Sequence, residues 1–249
     1  LLSCVGIALL KCQAAPSSHQ LQIFAASSLQ EGFEDLKQSF KQRHPHIDIH
    51  LNFAGSQVLR IQIEHGAQAD VFASANPKHL QTLKQQGLLT HPQSVASNKL
   101  ALIIPTDNPA DIQSFKQLTK ARRIVLGNAH VPIGHYPRKL LQKAGNQFGP
   151  SFETTVRTHI VSEENNVRLV RAKVELGEAD AAVVYHTDAL ASDRVYAIAI
   201  PRMLQQEVHY TMGQLTTSKN SALALQWCQF VASKEGREIL NQRGFETIP

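Results

Sequence analysis

The sequence predicts an α/β protein of two lobes, each a mostly parallel sheet flanked by helices. Three observations carry that reading. Short apolar runs alternate with helix-patterned segments along most of the chain, the order βαβαβα that a parallel sheet requires. Two early runs end alike, in Phe24-Ala25-Ala26-Ser27-Ser28-Leu29 and Phe53-Ala54-Gly55-Ser56-Gln57: a strand, a turn of small and hydroxyl residues, then a helix start. A longer apolar strand at 99–105 and a return at 209–216 bracket a second series of strand–helix units, so the chain crosses into another lobe and comes back. The expected division is 21–100 with 213–249 for the first lobe and 101–212 for the second.

Within the first lobe, Leu21 and Ile23 alternate ahead of the first serine turn. Leu29, Phe33, Leu36 and Phe40 then recur at helical spacing, with Glu31, Glu34 and Asp35 early and Lys37, Lys41 and Arg43 late, an order that suits the helix dipole. His44-Pro45 ends this helix, and 46–53 forms the second strand. His46, Asp48 and His50 share one strand face, which raises a metal site. The core face belongs to Ile47, Ile49 and Leu51, however, so the polar three point to solvent. Val58, Leu59, Ile61 and Ile63 mark the next helix, which stops at His65-Gly66. A third strand spans 69–75, and Leu80, Leu83, Leu88 and Leu89 mark a helix and its exit.

The second lobe begins after the strand at 99–105. A helix is expected around 115–120 and a strand at 123–127. The loop at 128–136 follows, in which Val131-Pro132-Ile133-Gly134-His135-Tyr136 offers backbone N–H groups to a helix at 137–144. A strand at 158–161 leads through 162–168 into the helix of Leu169, Val170 and Val174, closed by Gly177. The buried strand at 181–185 ends in Tyr185, which puts a phenol at the carboxyl edge of the sheet. A strand at 195–200 and the return at 209–216 follow, and helices at 221–232 and 234–243 finish the first lobe.

Composition narrows the function. With 43% hydrophobic and 18% charged residues the 249-residue chain is globular, and long enough for two cores. Its net charge of +5 and pI near 9.2 do not make a nucleic-acid binder. The cations are scattered, Arg122-Arg123 being the densest pair near a strand, and aromatics are only 6%, so there is neither a basic arm nor a stacking platform. No Gly-x-Ser-x-Gly occurs and Ser28 has no histidine beside it, so the pattern is not that of a hydrolase or transferase. Residues 1–10 are apolar and lead into Lys11-Cys12-Gln13-Ala14-Ala15-Pro16, which reads as the remnant of an export signal over 1–15. Leu1-Leu2-Ser3-Cys4 shares something with a lipoprotein cleavage box, but the apolar run continuing past Cys4 argues against it, and a lipid anchor is left open. Cleavage would remove Cys4 and Cys12 and leave Cys228 without a disulfide partner.

The chemistry concentrates at strand ends. Ser28 and Ser56 sit where hydroxyls and unpaired N–H groups converge, a natural anion site; plain N-capping is the bland alternative, and its repetition in one lobe argues for a shared ligand. Neutral dipoles of this kind can hold an anion with no Arg or Lys beside it.

These residues carry a family resemblance. The two serine turns, Gly66-Ala67-Gln68-Ala69-Asp70-Val71-Phe72-Ala73-Ser74-Ala75, the run Val131 to Tyr136, Val183-Val184-Tyr185 and the closing Arg243-Gly244-Phe245 are similar to those of the periplasmic molybdate-binding proteins of ABC importers. The likeness runs in register from about Leu21 to the C-terminus. It implies a two-lobed periplasmic-binding-protein fold of type II, with two crossover strands as a hinge. It also implies an oxyanion, molybdate or tungstate, held by Ser28, Ser56, Ile133, Val167 and Tyr185, with lobe closure over it. No cofactor, no metal beyond the oxyanion and no catalysis are implied. The implied partner is a membrane permease, and the protein itself is expected to be a periplasmic monomer that binds no nucleic acid. Ile133 stands where the family more often has Ala, Ser27 replaces a usual Ala, and Asn76 a frequent Asp. Sulfate or phosphate remains the alternative ligand. A ferric-ion binder is the more distant rival, since it needs clustered tyrosines, whereas Tyr136, Tyr185, Tyr196 and Tyr210 are dispersed in sequence.

Overall fold

The computed structural model describes residues 19–247. The expected signal segment at 1–15, with Cys4 and Cys12, lies outside the described residues. The elements run β1 (His19–Ala26), α1 (Gln30–Arg43), β2 (Ile47–Ala54), α2 (Ser56–Glu64), β3 (Val71–Ser74), α3 (Pro77–Gln85), β4 (Leu89–Asn98) and β5 (Leu100–Pro105). Then come β6 (Ile124–Gly127), α4 (Pro132–Phe148), α5 (Pro150–Thr158), β7 (Ile160–Glu164), α6 (Val167–Glu175), β8 (Ala181–Tyr185) and α7 (His186–Leu190). The chain closes with β9 (Val195–Ala199), β10 (Val208–Leu215), α8 (Ser221–Ala232) and α9 (Lys234–Gln242).

Two five-stranded sheets result, in the orders β2-β1-β3-β10-β4 and β7-β6-β8-β5-β9. In each, three strands joined by helices are parallel, and the remaining ones join antiparallel. The two lobes repeat one plan, down to an aspartate at the start of the third parallel strand. Asp70 accepts the Gln22 N–H at 2.8 Å; Asp180 accepts the N–H groups of Arg122 and Arg123 at 2.9 Å. Burial alone would raise the Asp180 pKa, but hydrogen bonds from the Arg123 side chain and from both N–H groups outweigh it and hold the carboxyl below its ordinary value. In the first lobe Phe33 and Phe40 of α1 meet Trp227 of α8 edge-on, with ring centroids 6.0 and 5.4 Å apart.

The sheet-to-sheet passages are short. A single residue, Lys99, separates β4 from β5, and 200–207 connects β9 to β10. Glu246 pairs with Ser97 through both backbone bonds, and its side chain meets the Lys99 ammonium, so the C-terminal segment ties down the first passage.

Several expected boundaries move, for local reasons. β4 was not foreseen, because Leu89–Asn98 is polar, contains Pro92 and bends at His91 (φ 49°). It lies at the sheet edge, where a missing proline N–H breaks no ladder. β10 begins at Val208 and pairs throughout with β3 and β4, so 208–212 belongs by pairing to the first sheet and not to the second lobe. α4 starts at Pro132 and not at Pro137; Pro132 occupies the first turn, where no N–H is needed, and Pro137 is carried inside the helix. The segment 115–120 is a 3-10 helix, α5 occupies a stretch to which the sequence pattern assigned no element, and β7 starts at Ile160, two residues later than expected.

Candidate functional site

A cleft opens between the carboxyl ends of the parallel strands of the two sheets. It is lined by Ser27, Ser28, Gly55, Ser56 and Ala75 from the first lobe and by Ile133, Asn166, Val167 and Tyr185 from the second, among others. All five residues singled out from sequence, Ser28, Ser56, Ile133, Val167 and Tyr185, therefore line one cleft. The space open to the centre of a water-sized sphere is ≈ 20 Å³, room for one small polar species and too little for a sugar or peptide.

Helix starts build the walls. Ser28 lies in the 3-10 turn Ser27–Leu29 that leads into α1, and Ser56 is the first residue of α2. Neither serine is an N-cap: those positions fall to Ala26, Leu29 and Gly55, and none makes a side-chain capping bond. The hydroxyls are thus free of the role that local propensity would assign them. Ser56 Oγ accepts the Ala75 N–H at 3.2 Å, which leaves its own O–H to donate. Across the cleft, Ile133 is the second residue of α4 and Val167 the first of α6, positions whose N–H groups have no intrahelical acceptor. Asn166 caps α6 by accepting from Leu169 N–H at 3.1 Å, so the N–H of Val167 is not consumed by the cap.

Electrostatically the lining is neutral: none of the lining residues is charged. Tyr185 is buried, and burial first, then nearby Tyr210, Tyr136 and Asp188, push its pKa well above the ordinary phenol value. It stays protonated and is a donor. Tyr136, its pKa pushed up to about 12 by burial, reaches across the cleft to Ala75 O at 3.5 Å. Other contacts also span the lobes: Gln57 Nε2 donates to Asn165 O at 3.1 Å, and Arg168 Nη1 meets Glu31 Oε1 at 2.6 Å on the rim. The lobes are closed on each other. Two of the three departures from the family pattern, Ile133 and Asn76, are absorbed locally, and Ser27 lines the cleft beside Ser28. Ile133 lies beside Gly127, where an added Cβ would stand 2.7 Å from Ile133 Cγ2, so the absence of a side chain there makes room for the larger residue. Asn76 caps α3 through Oδ1, accepting from Lys78 N–H at 3.0 Å, a bond that needs no charge. The expected outward strand triad gives an exposed His50 whose Nε2 lies 2.8 Å from Asp48 Oδ2.

Three participants were not foreseen. Gly55 packs against the opposite lobe, Tyr210 stands behind Ser28, and Asn98 stands behind Tyr210. Only the glycine had a local signal, its place in the second serine turn.

The family profile of the bacterial extracellular solute-binding proteins matches residues 21–246. The chain belongs to this family. Among its relatives, the molybdate-binding protein ModA of Mycobacterium tuberculosis is 34% identical over 231 residues, covering 92% of this chain and 85% of the relative. The periplasmic molybdate-binding protein of Azotobacter vinelandii superposes with a TM-score of 0.79 at 22% identity, over 92% of this chain and 99% of the other. The sulfate-binding protein SubI of Mycobacterium tuberculosis superposes with a TM-score of 0.81 at 14% identity, over 93% of this chain and 88% of the other. At those identities the two superpositions establish the solute-binding fold and say nothing of the ligand.

Proposed function

We infer that this member of the solute-binding family captures molybdate, and tungstate with it, outside the cytoplasm and hands it to the membrane permease of an ABC importer. The observation that carries this reading is the cleft itself: a small, neutral space between two lobes, faced by Ser28, Ser56 and Tyr185 as donors and by the helix starts at Ile133 and Val167. Hydroxyls and N–H groups at helix starts match a dianion with no proton of its own, and their partial charges replace its hydration without a buried cation. The 34% identity to a molybdate-binding relative supports molybdate over sulfate, for which only the fold speaks. Size then selects, since molybdate and tungstate are larger than sulfate. The protein needs no cofactor or further metal ion, catalyses nothing, binds no nucleic acid and acts as a monomer, each lobe gripping one side of the ion.

Calorimetric titration of protein dialysed against EDTA tests this. One molybdate or tungstate per chain is expected, with sulfate and phosphate far weaker; tighter sulfate binding, or loss of molybdate binding in EDTA, would overturn it. The serines give a residue-level check. Ser28→Ala and Ser56→Ala are each expected to weaken molybdate binding by ~1.5–3 kcal/mol, the range for a hydrogen bond to a charged group. Neither side chain caps a helix, but each accepts a buried hydrogen bond, Ser28 from Tyr210 and Ser56 from the Ala75 N–H, so the unliganded protein is expected to stay folded with a melting temperature a few degrees below that of the parent. Unchanged affinity in both variants would place the anion elsewhere.

A further inference from the structure

Ser28 has a polar neighbour behind it that does not line the cleft. Tyr210 of β10 lies 3.0 Å from Ser28 Oγ through its hydroxyl, and Asn98, the last residue of β4, stands next in line. The protons in this chain can be assigned. Asn98 Oδ1 lies 2.9 Å from the Lys99 N–H, a group that can only donate, which fixes the amide's orientation. Its Nδ2 therefore faces Thr187 Oγ1 at 2.9 Å and the Tyr210 oxygen at 3.4 Å, and an amide NH₂ only donates. Of the two groups bonded to the Tyr210 hydroxyl, only Ser28 Oγ can take its proton. Ser28 thus receives one hydrogen bond from behind, which leaves its own proton free to be donated to a ligand in the cleft. Asn98, Tyr210 and Ser28 are 1%, 0% and 4% exposed, so the Tyr210 hydroxyl and its two partners are held inside the protein.

We propose that Tyr210, oriented by Asn98, is a positioning residue that occupies one lone pair of the Ser28 hydroxyl, favours it as a donor and so strengthens the preference of the cleft for fully deprotonated oxyanions. The proposal rests on the oxyanion reading above. An unrestrained serine hydroxyl can rotate and accept from an acid O–H; one already accepting from Tyr210 has a single lone pair left for that role and its own proton still to donate, so donation to the ligand is favoured. Hydrogen phosphate, which carries a proton near neutral pH, is disfavoured on these grounds as well as by size. Burial holds Tyr210 protonated by raising its pKa far above that of an exposed phenol, so the hydroxyl remains a donor near neutral pH. Asn98 and Thr187 also put this chain of bonds at the hinge: Asn98 adjoins the Lys99 passage, and Thr187 belongs to α7, directly after Tyr185.

A double-mutant cycle tests the proposal, with molybdate as the probe. Tyr210→Phe keeps the ring contacts with Tyr185 and Phe245, at 6.1 and 5.3 Å, and leaves Asn98 bonded to Thr187, so circular dichroism is expected to match the parent and the unliganded melting temperature to fall only slightly, by the loss of the buried hydroxyl's bonds. It is expected to weaken molybdate binding about tenfold and, in competition at pH 7, to lower the molybdate-to-phosphate preference by a similar factor. In a Ser28→Ala background the same change is expected to have almost no effect on affinity, because the hydroxyl it orients is gone. A full tenfold loss in that background, or an unchanged preference over phosphate, would overturn the proposal while leaving the oxyanion reading intact. A parent protein that binds none of the tetrahedral oxyanions would overturn both.

Discussion

Replacing Gly55 by alanine is expected to weaken molybdate binding roughly 10- to 100-fold while leaving the unliganded protein as stable as the parent. The backbone does not require glycine there: φ is −62° and ψ 136°, an extended conformation open to any residue. What requires it is the opposite lobe. A Cβ on Gly55 would lie 2.6 Å from the Asn165 carbonyl oxygen, well inside contact distance, and equally close to the Gln57 side chain. The glutamine can swing away, since its link to Asn165 is one exposed hydrogen bond of 3.1 Å. The carbonyl cannot, because Asn165 also holds Asn128 through its side chain at 2.7 Å and precedes the cap of α6. Relief comes only by parting the lobes. Overpacking of this kind costs about 1–3 kcal/mol. Here that penalty falls on the closed state alone, so it lowers the binding-competent fraction and with it the apparent affinity. Calorimetry would give the loss, and small-angle scattering would show less compaction on adding molybdate than in the parent. Parent-like affinity together with parent-like compaction would mean that the ligand is held at a wider lobe separation than the one described.

Gly55 also illustrates what could be read from the sequence. Its turn was legible, because the alternating Ile47, Ile49 and Leu51 before it and the helical spacing of Leu59 and Ile63 after it are local patterns. Ser28, Ser56, Val167 and Tyr185 fell at predicted strand ends and helix starts for the same reason, Ile133 fell in the loop expected before the helix at 137–144, and the family likeness implied a common ligand for all five. Its role as the point of closest approach was not legible, since Asn165 is brought there by the fold and by nothing near it in sequence. Tyr210 is a sharper case: its contact with Ser28 joins residues 182 apart, and only the antiparallel insertion of β10 beside β3 creates it. β4 escaped notice because an edge strand tolerates Pro92 and polar residues, so its pattern is that of a loop. The start of α4 was misplaced because two prolines compete for the first turn, and which of them is inside the helix depends on how the preceding loop packs.

That packing supplies the second large effect, opposite in kind to the first. Gly134→Ala is expected to destabilise the unliganded protein by about 2–3 kcal/mol, lowering the melting temperature by about 4–12 °C for a chain of this size. Helix propensity alone argues the other way, since alanine inside a helix is favoured over glycine by about 1 kcal/mol. Sterics decide the sign. The third residue of α4 lies so close to the loop before it that a Cβ would stand 1.7 Å from the Asn128 carbonyl oxygen and 2.6 Å from that of Gly127. Both are backbone atoms in a braced segment: Asn128 N–H donates to Glu164 O at 2.9 Å, and Asn128 O accepts from Val131 N–H at 3.2 Å. Arg138 adds a bond to Gly127 O at 2.6 Å. Making room means breaking some of these or shifting the start of α4, which carries Ile133 into the cleft wall, so molybdate binding is expected to fall as well. Denaturant unfolding of the unliganded variant measures the stability term directly. The two glycine variants then separate by profile, Gly55→Ala losing affinity at constant stability and Gly134→Ala losing stability first. A Gly134→Ala protein as stable as the parent, or more so, would show that the loop at 128–131 yields freely and that the helix start it braces is not held in place by close packing.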